Sequence, residues 1–118
     1  MKILTEVLVL LIALLHVYIL VLEMFLWTSP YGLRAFGQSL ESAMASRVLA
    51  ANQGLYNGFL AAGLFWGAAQ GASGRADEIF FLSCIAIAGL YGAATANRKI
   101  LFIQFIPAAM TLGLMVAA

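Results

Sequence analysis

Four apolar segments follow one another along the chain, parted by short stretches where charged, amide and small residues gather. The first, residues 3–27, would span about 38 Å as a helix at 1.5 Å per residue, longer than a bilayer's hydrocarbon core. No small-residue cleavage site follows it, so it predicts a retained membrane helix rather than a removed signal peptide. Thr28-Ser29-Pro30 predicts a helix start, with Ser29 as cap and Pro30 at the first helical position. Residues 31–36 then form a short interfacial helix that Gly37 stops. Ser39 caps a long helix over residues 40–70. Its first two turns, with Glu41, Ser42, Ser46 and Arg47, are too polar for hydrocarbon and belong at the surface. A small-residue loop leads to Asp77, the expected cap of a third helix over 77–96. Asn97-Arg98-Lys99 makes a polar turn into a fourth helix over 100–117. Pro107 predicts a kink there, because it lacks a donor and its ring clashes with the carbonyl of Ile103.

This pattern predicts one all-α domain over residues 1–118. Its fold is an antiparallel four-transmembrane-helix bundle with the interfacial helix between helices 1 and 2. The composition agrees: 64% of residues are hydrophobic, 9% are charged, and mean hydropathy is +1.02. A net charge of +1 argues against nucleic acid as a partner and leaves the lipid bilayer as the main one. The lone Cys84 excludes an internal disulfide and reads as a packing residue. One pair of loops carries Arg34, Arg47, Arg98 and Lys99, four charges; the terminal side carries two, Lys2 and Arg75. The positive-inside rule then places both termini outside the cytoplasm.

The chemistry concentrates in the second long helix, at Asn52-Gln53-Gly54-Leu55-Tyr56-Asn57-Gly58. At about 100° per residue, Asn52, Gln53, Tyr56 and Asn57 share one arc roughly 140° wide. Polar groups in hydrocarbon need partners, and other helices are the expected source. This arc therefore reads as the inner face. Gly54 and Gly58 form a separate small-residue face for contact between helices or between copies of a homo-oligomer. Gly63, Gly67 and Gly71 read as close-packing glycines. With alternating helix directions, Glu23 lies level with Asn52 and Gln53, and Tyr91, Thr95 and Gln104 reach a similar depth. His16 closes this cluster from above, and the opposite half of the bundle holds little besides glycine and alanine.

His16 and Glu23 share a face but stand ~10 Å apart along the helix, so coupling between them needs water or a ligand. An ionisable residue within a span is a candidate functional site. The same residues could equally serve as interhelical glue. One His, one Glu and no cysteine pair make no metal set, and no nucleophile pairing or phosphate loop is visible. No cofactor is expected.

His16 with Glu23-Met24-Phe25-Leu26-Trp27, the run from Ala51 through Leu64, Gly89-Leu90-Tyr91-Gly92, Gln104 and Pro107-Ala108 carry a family pattern. On these residues the chain resembles, over nearly its whole length, a family of small bacterial membrane proteins known as domain of unknown function number 1304. The resemblance implies a four-helix protein of the bacterial inner membrane and transfers no activity. Two functions follow from the residues. One is binding or proton-coupled transport of a small molecule at the polar cluster. The other is a membrane-embedded enzyme on a lipophilic substrate, with Glu23 or His16 as acid or base. A structural or accessory protein is the third reading.

Overall fold

Residues 1–117 are described by a computed structural model, and every regular element among them is helical. Helix α1 covers Lys2–Met24, α2 Pro30–Phe36, α3 Leu40–Ala45 and α4 Arg47–Ala69. A 3₁₀ turn, Gly71–Gly74, leads into α5, Arg75–Thr95. A π turn, Leu101–Phe105, leads into α6, Ile106–Ala117. Contacts gather these elements into two units, residues 14–59 and the remainder, so α1 and α4 each contribute to both.

In the unit of residues 14–59, local turn chemistry follows the sequence closely. Ser29 Oγ accepts from the Gly32 amide at 3.1 Å, Pro30 opens α2, and Gly37 closes it in the left-handed conformation at φ 61°. Ser39 Oγ caps α3 through the Ser42 amide at 3.1 Å. Gly32 is required by packing, since a Cβ there would lie 1.8 Å from the Leu26 carbonyl oxygen. Two boundaries differ from expectation. Helix α1 ends at Met24 rather than at 27, and the helix expected over 40–70 is interrupted at Ser46, with φ −107° and ψ 10°. Ser46 Oγ donates to the Ser42 carbonyl at 2.9 Å and accepts from Trp27 Nε1 at 3.2 Å. The break thus gives the Trp27 indole its partner.

The other unit is built around Val9, Ile12, Ala13, Leu64, Leu82, Ile85, Ala108 and Met115. Glycines set its closest approaches: a Cβ on Gly63 would strike the Phe81 ring at 2.4 Å, and one on Gly74 the Gly67 carbonyl at 1.8 Å. Gly71 does not pack as expected. At φ 64° and with open space around it, this glycine turns the chain out of α4. Helix α5 begins at Arg75, so Asp77 is no cap; its Oδ2 instead accepts from Gln70 Nε2 at 2.7 Å. The strain at Pro107 is taken up just before α6, where the Ile106 amide bonds to the Leu101 carbonyl. The wider π turn absorbs the clash that a continuous α-helix would force on the Ile103 carbonyl.

Two stretches, Lys2–Met24 and Gly71–Thr95, are long and apolar enough to cross a membrane, with mean hydropathies of 2.7 and 1.6. Leu101–Ala117 is apolar but shorter. Helix α1 also exposes Leu4, Val7, Leu11, Leu14, Tyr18 and Val21 at helical spacing, a continuous apolar stripe.

The π turn lies against α5 so closely that a Cβ on Gly89 would come within 2.6 Å of the Phe105 amide nitrogen, whereas Gly113 meets nothing. Gly89→Ala should therefore destabilise the detergent-solubilised protein by about 1–3 kcal/mol. Gly113→Ala should stabilise it by about 0.5–1 kcal/mol. Thermal unfolding curves of the two variants check the contrast.

Candidate functional site

The sequence places Glu23 in the last turn of α1 and the amide-rich run in the first half of α4. Glycine brings the two helices together. A Cβ on Gly54 would lie 2.6 Å from Met24 Cγ, 3.1 Å from Glu23 Cβ and 3.2 Å from the Leu20 carbonyl; one on Gly58 would lie 2.7 Å from Leu20 Cδ1. Across this contact Asn57 Nδ2 donates to Glu23 Oε1 at 2.7 Å and to the Gln53 carbonyl at 3.1 Å. One amide nitrogen thereby uses both hydrogens, one fixing its own rotamer and one holding the carboxyl.

This contact reverses the expected rotation of α4. Gly54 and Ala50 are buried, whereas Asn52, Gln53 and Tyr56 are exposed. Asn52 Nδ2 donates to the Val48 carbonyl of its own helix at 2.8 Å, and the Tyr56 ring rests against Phe59. The expected level is corrected as well: Glu23 engages Asn57, not Asn52 or the Gln53 side chain. The physical reason is that close helix approach needs small residues, and Asn52 finds an acceptor on its own helix without it.

His16 is completely buried and engaged. The remaining candidates belong to the other unit. Tyr91 is exposed, Thr95 is exposed with its Oγ1 donating to the Tyr91 carbonyl at 2.7 Å, and Gln104 is half-buried and engaged. Of the residues expected to form one cluster, Glu23 and Asn57 are joined by a side-chain bond.

A second polar site lies where little besides glycine and alanine was expected. In the unit of residues 1–13 and 60 onward, a cavity of about 300 Å³ is lined by Lys2, Thr5, Glu6, Arg75, Glu78 and Met115, among others. Glu78 is 1% exposed, and its Oε2 has no hydrogen-bond partner among the described residues. Sequence reasoning passed over Glu78 because a cap at Asp77 would leave the next residue in water. The available signal was Gly67: its missing side chain makes room for the Glu78 stem, 2.7 Å from where a Cβ would stand. Among the described residues no group of three or more His, Cys, Asp or Glu could hold a metal ion.

The family model described as "Protein of unknown function (DUF1304)" matches residues 10–116. The chain belongs to the DUF1304 family. A relative, "Uncharacterized protein YpaA" of Lactococcus lactis subsp. lactis (strain IL1403), is 37% identical over 106 residues, 88% of this chain and 89% of its own length. No solved structure matches the chain. The DUF1304 match contains Glu23, Asn57, Arg75 and Glu78, whereas Lys2, Thr5 and Glu6 precede it.

Because Gly58 faces Leu20, a large side chain there pries α4 from α1. Gly58→Leu should lower stability by about 1–3 kcal/mol. An unchanged melting temperature in detergent would mean that this face does not hold the two helices together.

Proposed function

We propose that this DUF1304 protein is a multi-pass protein of the bacterial inner membrane that binds a small molecule, with or without an accompanying proton, at Glu23. The observation that carries the reading is the Asn57 amide on Glu23 Oε1, a carboxyl oriented within an apolar helix by a donor from another helix. A carboxyl in that setting is costly to hold and suits exchange of a cation or proton. The exposed apolar stripe of α1 supports lipid contact. In this reading the four apolar segments form an antiparallel transmembrane bundle, α2 lies at the interface, and both termini are extracytoplasmic. Gln53 and Tyr56 face outward from α4 and are offered to a second copy of the chain, where bonds between copies replace those that lipid cannot give.

A reporter fused after Ala118 should behave as extracytoplasmic and one inserted at Ser39 as cytoplasmic. The opposite pattern would reverse the orientation.

Glu23→Gln keeps the shape of the side chain and removes its charge. It should fold as well as the wild type, while Asn57→Ala, which strips the carboxyl of its donor, should lose about 1–3 kcal/mol. A thermal-shift screen of small amines and cations supplies the functional arm. A compound acting at Glu23 raises the melting temperature of the wild type and leaves Glu23→Gln unmoved. Equal stabilisation of both proteins would sink the assignment to Glu23.

A further inference from the structure

The cavity beneath the start of α5 is a second site, independent of Glu23. Its walls carry two charges of each sign: Glu6 and Glu78, Lys2 and Arg75. The carboxyls are close enough to repel one another, and the Arg75 charge acts on Glu78 with the opposite sign. Two features fix its polarity. Glu78 is 1% exposed, its buried Oε2 has no hydrogen-bond donor among the described residues, and its carboxyl stands within hydrogen-bond reach of Glu6, so the acidic side of the cavity is a close carboxyl pair. Arg75 Nη2 donates to the Met115 carbonyl, which pins the guanidinium to α6 at the cavity wall.

A buried acceptor left unsatisfied is costly, and a charged one more so. A primary ammonium supplies three donors together with the compensating charge. A simple cation would meet Lys2 and Arg75, and a simple anion would meet Glu6 and Glu78. A zwitterion meets both pairs. Lys2 opens α1, Arg75 opens α5 and Met115 lies in the last turn of α6, so the cavity is framed by helix ends. In a membrane protein, helix ends lie at headgroup level. An arginine with a second cation nearby suits a phosphate, whose oxygens accept from several donors at once. At about 300 Å³ the space would hold roughly ten waters at their liquid volume, enough for a headgroup and too small for acyl chains.

We propose that this cavity binds the ethanolamine-phosphate zwitterion, with the ammonium on Glu78 and Glu6 and the phosphate on Arg75 and Lys2. Phosphatidylethanolamine headgroups and free O-phosphoethanolamine share this chemistry.

The test uses the full chain in nanodiscs of equal phosphatidylethanolamine and phosphatidylcholine, with retained lipid read by native mass spectrometry. O-phosphoethanolamine is titrated calorimetrically in parallel against the detergent-solubilised protein. Choline phosphate has the same charge but no N–H, so it controls for charge alone. The ethanolamine form should be preferred about tenfold, the worth of one charge-assisted hydrogen bond, and Glu78→Gln should abolish that preference. Retention of the lipid assigns the site to a headgroup; binding of the free compound alone assigns it to a soluble ligand. Equal binding of choline and ethanolamine forms, or binding of neither, overturns the proposal. Should Glu78→Gln fail to fold, Glu6→Gln, at a half-exposed position, must reduce the preference, and an unchanged preference in that variant also overturns it.

Discussion

An apolar surrounding offers no hydrogen-bond partner, so polar side chains within apolar helices are best satisfied by the protein itself. Most of them here solve this on their own helix. Ser83 donates to the Ile79 carbonyl at 2.7 Å, Thr95 to Tyr91 at 2.7 Å, Thr111 to Pro107 at 2.8 Å and Asn52 to Val48 at 2.8 Å. Each reaches back four residues, to a carbonyl that already accepts one helical bond and has a second lone pair. Such residues make no demand on tertiary structure. A carboxylate cannot use this route, because it accepts and has nothing to donate. Glu23 and Glu78 are therefore among the side chains that need a donor from elsewhere.

Glycine decides whether that donor can arrive. At Gly54 and Gly58 the backbone of α4 comes close enough to α1 for the short Asn57 side chain to reach Glu23 Oε1. A Cβ at Gly54 would meet Met24, Glu23 and the Leu20 carbonyl together, so the contact admits no larger residue without a shift. Gly67 plays a comparable part for Glu78, leaving room for its stem beside Gly74. In both units small residues and an acidic residue occur as a pair: the first supplies space, the second supplies the polar group that uses it.

How much of this was legible depends on the range of the interaction. The Ser29 and Ser39 caps, Pro30 at the start of α2 and the left-handed Gly37 involve residues within one turn of each other, and sequence spacing encodes them directly. The faces of α4 were legible as faces, since a period of 3.6 residues separates glycines from amides. Their orientation was not. Where a helix carries apolar residues on several faces, hydropathy does not choose the inner one, so packing volume and hydrogen bonding compete for that position. Reading every amide as needing another helix gave that position to Asn52 and Gln53. The bond from Asn52 to Val48 removes the need, and the glycines take the place. A disruption at Pro107 was legible from its ring and missing donor, but not its form as a π turn packed on Gly89. The break at Ser46 was illegible because it answers to a partner far along the chain, Trp27.

The two carboxyls differ in how far the chain itself meets their demand for a donor. Glu23 receives the Asn57 amide on one oxygen, so the fold has already answered part of its demand, and any ligand must work with a carboxyl oriented by the protein. Glu78 is more deeply buried, yet its Oε2 receives nothing from the described residues. If that oxygen were merely a packing surface, glutamine would serve better, since its amide could donate back to its own helix as Gln70 does to the Trp66 carbonyl at 3.3 Å. Glutamate instead places a buried carboxyl beside Glu6 in the lining of a cavity that Lys2 and Arg75 also line. Such an arrangement is stabilised when a donor enters from outside the chain, and it confines that donor to groups small enough, and charged on both ends, to meet the whole wall.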